Sequence, residues 1–297
     1  MPRSTFAYDW EGQACFCRVE GDLEAGSADP ILSLHPIGVG LSGAFWQRFS
    51  HEWNARRLSQ PLIHPDLIGC GRSAMPDRIL RPEHWADQIA VLLDQRVRRP
   101  VWLLVQGASL PVALDLQALR PQAIRGMVLF GPPSWKVMTG PADERLANAL
   151  WRGFFHTPLG GLFYRYARTE RFLRSFSEKE LFARSSDVDA EWLSMLREGS
   201  RDLASRHAVF SFLAGFWRRD YSDRLRQLEV PVLALFGDQA SGISRRGKRD
   251  TPQIKAADYA GRLPRASARL LGGRNVLPWE TPDQAVEAVH TWMAQQA

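Results

Sequence analysis

The chain alternates short, almost wholly apolar runs with longer segments whose apolar residues recur at helical spacing. "PILSLHP" (30–36), "PLIHPDL" (61–67), "PVWLLVQG" (100–107), "IRGMVLFGPP" (124–133) and "VPVLALFGD" (230–238) are bounded by turn formers and read as strands covered on both faces. "STFAYDW" and "ACFCRVEG" flank "EGQ" as a hairpin, and "ARLLGG" (268–273) reads as a late strand. Between the strands, "FWQRFSHEWNARR" (45–57), "PEHWADQIAVLLDQRV" (82–97) and "PVALDLQAL" (111–119) have the spacing of helices, as do segments near 252–263 and 281–295. Pro82 suits a first helical turn, where a missing N–H is not needed. Buried strands alternating with helices predict an α/β fold with a mostly parallel, doubly wound sheet. Residues 134–222 break the alternation and read as helical and aromatic throughout. The predicted organisation is therefore a core in two parts, 1–133 and 223–297, interrupted by a helical cap at 134–222.

Composition narrows the functional classes. With 297 residues, 45% of them hydrophobic, and 11 Trp and 15 Phe, the chain can bury a large core. The net charge of +6 is carried almost entirely by arginine and is dispersed, apart from "SRRGKRD" (244–250) and one arginine series in the cap. No clustered basic footprint or reading motif for nucleic acid is present. No apolar run approaches the ~20 residues that cross a bilayer, and the N-terminal stretch has no signal-peptide core. The expectation is a soluble cytoplasmic protein. Cys15, Cys17 and Cys70 make no disulfide framework, which fits a reducing compartment. Cys15 and Cys17 share a strand face, but no second ligand pair accompanies them, so neither a metal nor a cofactor is expected.

The most informative stretch is "VWLLVQGASLPVAL". A buried strand ends near Gly107, Ser109 follows, and a helix starts at once. Such a turn can present a serine at the sheet edge, close to a helix N-terminus that stabilises negative charge. G-A-S-L-P fits the pattern G-x-S-x-G except that Pro111 stands at its last place.

These residues resemble the α/β-hydrolase superfamily, and further landmarks follow in order. "LHPIGVG" (34–40) is similar to the family's oxyanion loop. That resemblance implies an oxyanion hole from the N–H groups of Ile37 and Leu110. "PDLIGCGRS" (65–73) resembles the turn after the fourth strand, "VPVLALFGD" the strand before the catalytic acid, and "GGRNVLPWETP" the loop of the catalytic histidine. The triad that the family implies is incomplete. The acid position falls on Ala240, an alternative acid position on Gly131, and the histidine position on Asn275, whose amide takes no proton near neutral pH. Asp238, two residues from the acid position, is either a displaced acid or a turn-capping residue. His35 is either a displaced base or a structural histidine of the loop. Ser109 itself is either the nucleophile or a small residue that fits a tight turn.

The cap carries "WRGFFHTPLGGLFYRYARTERFLRSF" and "SRHAVFSFLAGFWRRDY". Phe154, Phe155, Phe163 and Trp217 there either line a chamber for an apolar or lipid-like ligand or fill the cap's own core. Arg165, Arg168, Arg171 and Arg174 recur every third residue and would form a basic stripe on one helix. The stripe either contacts anionic lipid or an acidic protein, or is a solvated helix face. "LHPIGVGLSGAFWQRF", "ASRHAVFSFLAGFWRRDYS" and "GRNVLPWE" also resemble a branch of hydrolase homologues from cyanobacteria and plastids. Two functions are expected to compete: binding of a hydrophobic small molecule with little turnover, or ester hydrolysis through Ser109 and a displaced base.

Overall fold

The computed structural model describes residues 2–23, 28–242 and 250–296, so all of the basic run 244–250 except Asp250 lies outside the described residues. Eight strands form one sheet: β1 (Arg3–Trp10), β2 (Gln13–Glu20), β3 (Ile31–Leu34), β4 (Leu62–Pro65), β5 (Val101–Gln106), β6 (Ile124–Phe130), β7 (Val232–Gly237) and β8 (Ala266–Leu271). Their order is β1-β2-β4-β3-β5-β6-β7-β8. β1 and β2 are an antiparallel hairpin, turned by Glu11 and Gly12 with φ of 52° and 74°, and β2 pairs antiparallel with β4. From β4 onward neighbouring strands are parallel. Every residue of β3, β4, β5 and β7 is buried, the consequence of helices on both faces.

Helices α1 (Gln47–Ala55), α2 (Pro82–Leu92) and α3 (Leu110–Leu119) precede β6. Side chains alternate along β5 between two core layers. Leu103 and Val105 share a layer with Trp85 and Ile89 of α2 and Val112 of α3, while Trp102 and Leu104 share the other with Phe49 and Trp53 of α1.

Between β6 and β7 the described chain is helical: α4 (Trp135–Met138), α5 (Glu144–Leu150), α6 (Pro158–Ala167), α7 (Glu170–Phe176), α8 (Ala190–Gly199), α9 (Arg206–Ala214) and α10 (Ser222–Arg226). This segment divides into two packing environments. Trp151, Phe155, Tyr164 and Phe210 form a core of their own. Trp192 of α8 instead joins the sheet layer, against Phe182, Phe45 and Trp279. Gly40 (φ +77°) and Gly199 allow that docking, because a Cβ on Gly40 would lie 1.9 Å from Leu196 O and one on Gly199 2.1 Å from Gly40 O. The chain ends with α11 (Pro252–Arg262), α12 (Leu277–Glu280) and α13 (Pro282–Ala294).

Candidate functional site

β5 delivers the chain to the sheet edge at Gln106, and the turn that follows sets the chemistry. Gly107 has a φ of +58°, whereas Ser109 has φ −80° and ψ −1°, ordinary right-handed values inside a tight turn, Gly107–Ser109, that leads into α3. In this fold a strained residue at the strand-to-helix turn carries the exposed nucleophile. That conformation belongs here to Gly107, which has no side chain. A Cβ built on Gly107 would meet no atom within 4 Å, so the turn's apex faces open space.

Ser109 lies two residues further on and points inward. It is fully buried, and its hydroxyl donates to the backbone carbonyl of His35 at 2.7 Å. The expectation that the turn presents Ser109 at the sheet edge is therefore corrected to a buried hydroxyl, because the chain bends at the glycine and has entered the helical turn before reaching the serine. Leu110, expected to offer its N–H to an oxyanion, donates it to Gly107 O instead. Ile37 is buried in the same core layer as Leu110.

The structure does not bring the imidazole of His35 to Ser109. Its Nδ1 donates to Pro36 O at 2.8 Å and its Nε2 accepts from the Leu67 N–H at 3.0 Å, so both nitrogens are occupied. Burial lowers its pKa and keeps the ring neutral. Asp238 is exposed and accepts the Gly273 N–H at 3.1 Å, a contact between the end of β7 and the loop after β8, while Ala240 is buried.

Asn275 belongs to a clasp. Its amide nitrogen donates to Glu180 O at 2.6 Å and Ser241 O at 3.2 Å, and its backbone N–H donates to Leu181 O at 3.0 Å. Five residues on, the carboxylate of Glu280 accepts from the N–H groups of Arg274 and Ala183 at 2.7 and 2.6 Å, and burial raises its pKa. The loop that would carry a base thus fastens residues 180–183 to the end of the sheet. Gln106, just before the turn, donates from Nε2 to Asn275 O at 2.8 Å. Its Oε1 is buried without a hydrogen-bond partner among the described residues. The described residues do hold a serine–histidine contact, but in the core: Ser33 Oγ and Ser50 Oγ lie 2.5 and 2.8 Å from the two nitrogens of buried His64.

A sequence profile of the alpha/beta hydrolase family matches residues 31–289. The chain belongs to that family. It is 28% identical to a haloalkane dehalogenase of Bradyrhizobium diazoefficiens over 144 residues, which is 44% of each chain. It is 33% identical to the lipase LipV of Mycobacterium tuberculosis over 105 residues, 34% of this chain and 36% of that one. The matched stretches thus span less than half the length of these curated relatives. Among solved structures it is similar to an esterase of Thermogutta terrifontis, with a TM-score of 0.72 at 19% identity over 100% and 99% of the two chains. The epoxide hydrolase CorEH gives 0.75 at 15% identity, with both chains covered completely. At these identities the likeness is one of fold.

The position overlooked in the sequence is Gly107, which holds the left-handed backbone of the turn. The signal was the end of the apolar run: the elbow follows the strand directly, and the strand ends at Gln106. The serine two residues further on masks this register.

The aromatic residues expected around a ligand divide. Phe155 stacks on Phe210 at 4.6 Å and Phe154 meets Phe163 at 5.9 Å, all within the helical segment's own core. Trp217 stacks on Phe212 at 5.2 Å in a different layer. The arginine series does not lie on one helix: Arg165 is in α6, Arg168 caps it, and Arg171 and Arg174 are in α7. Burial pushes the Cys15 thiol up to about 12, and raises those of Cys17 and Cys70 as well, which keeps all three protonated and unreactive. Among the described residues no helix is long and apolar enough to cross a membrane.

Proposed function

We propose that this family member binds an apolar, lipid-like small molecule beside Gly107 and carries out no acyl-enzyme chemistry. The carrying observation is the apex of the turn, a glycine whose missing side chain leaves clear space where a nucleophile would stand. Serine-hydrolase turnover needs a hydroxyl, a base and an orienting acid, and loss of members of that unit costs on the order of 10⁴ to 10⁶ in rate. Here the nearest serine is spent on a carbonyl, and the amide of Asn275 on two more.

The test is titration with a fluorescent fatty-acid analogue. Gly107→Asn fills the space with a residue that tolerates positive φ. Saturable binding that weakens at least about tenfold in Gly107→Asn is expected, one tenfold step being about 1.4 kcal/mol. Equal binding by both proteins would overturn the assignment.

A peripheral contact with anionic lipid is a further part of this reading. Leu159, Leu162 and Tyr166 of α6 are 61%, 58% and 60% exposed beside Arg165. Flotation with anionic but not neutral liposomes is expected, and identical partitioning would remove the idea.

A further inference from the structure

Away from the residues around Gly107, three side chains from separate segments converge. Asp77 comes from the loop between β4 and α2, His156 follows the helical turn Trp151–Phe155, and His207 is the second residue of α9. One oxygen, Asp77 Oδ1, lies 2.9 Å from His156 Nε2 and 3.1 Å from His207 Nδ1. All three donor atoms fall within 4.8 Å of one another. Tetrahedral coordination at zinc–ligand distances of about 2.0–2.1 Å separates donors by roughly 3.3 Å, so small side-chain movements would place an ion between them.

We infer that Asp77, His156 and His207 form a site for a divalent transition-metal ion, with Zn2+ the best match. Two imidazoles and one carboxylate are the donor set that this ion takes when one coordination position is left open. The surroundings fit that use. Trp151 lies nearly parallel to the His156 ring at 5.7 Å and 6.2 Å from that of His207, so it holds the imidazoles in place and shields them on one side. Asp77 and His156 also line a groove of about 640 Å³ that Arg165 and Arg206 border. The open position faces that groove, where the two guanidinium groups favour an anionic ligand such as a carboxylate or phosphate. His207 is buried at 3% exposure, while His156 and Asp77 are half exposed or more, so an ion can enter without unfolding the segment.

A hydrogen-bonded latch between the loop and the helical segment would use the same contacts, and the test separates the two. Tag-free protein is dialysed against Zn2+ and the bound metal counted, with Co2+ substitution to read coordination from its visible spectrum. Asp77→Asn keeps an acceptor oxygen but removes the carboxylate, and His156→Ala removes an exposed donor. Both variants are checked for unchanged cooperative thermal unfolding without metal. One equivalent of Zn2+, a tetrahedral Co2+ spectrum, and at least tenfold weaker binding in each variant are expected. Absence of binding by the wild type, or binding undiminished in both variants, would overturn the site.

Discussion

A hydroxymethyl group added at Gly107 would strain the backbone without colliding with anything, since the φ is +58° and the space beyond it is clear. Left-handed backbone costs a non-glycine residue roughly 1–2 kcal/mol. Gly107→Ser is therefore expected to lower unfolding stability by about that amount in urea, and to gain no reactivity alone, because Asn275 is no base. Asn275→Ala should cost roughly 1–3 kcal/mol in the same assay, since it leaves the Glu180 and Ser241 carbonyls without their donor. A loss below a few tenths would show that the clasp is dispensable. Burial lowers the pKa of both His35 and His64, that of His64 well below the ordinary imidazole value, with Arg18 and Arg3 lowering it further. The unfolded chain then binds more protons than the folded one once pH falls below about 6.5, so the stability present at neutral pH is lost on acidification. Urea unfolding between about pH 7 and about pH 5 should show a falling free energy, with a slope approaching 1.4 kcal/mol per pH unit from His64 and a smaller part from His35. A flat profile would mean that other groups offset them.

At the scale of elements, the strands were legible because they are buried on both faces and their apolar runs are unbroken, as in β5 and β7. The hairpin was legible from "EGQ". The arginine series was misjudged because a strict three-residue spacing hid a helix boundary. Thr169 caps α7 by accepting the Phe172 N–H, and "RTE" carries that stop signal within the stripe. The close approach of the loop after β3 to α8 left no periodic trace, since it depends on two glycines 159 residues apart, Gly40 and Gly199. Gly40→Ala is expected to destabilise the protein by several kcal/mol or to prevent folding, because a Cβ would overlap Leu196 O in a contact between two backbones. Near-wild-type thermal unfolding of that variant would contradict the docking.

For the whole molecule, the order of landmarks along the chain was enough to reach the fold, because strand order and crossovers follow from apolar runs and turns. The site was less legible. A triad is a relation between loops distant in sequence: the residues at its customary places, Asn275 and Ala240, could be read, but the direction in which Ser109 points could not. That direction depends on one backbone angle two residues earlier. Nor did periodicity mark Asp77, His156 and His207, which meet only through the docking of three segments. On the proposed reading the frame of a hydrolase serves here as a binding scaffold, and the loop around Asn275 holds residues 180–183 against the end of the sheet. The most direct measurement of that account is labelling with a fluorophosphonate probe, which reacts with an activated serine. Wild type and Ser109→Ala are expected to remain equally unlabelled after prolonged exposure, whereas rapid labelling of the wild type that vanishes in Ser109→Ala would contradict it.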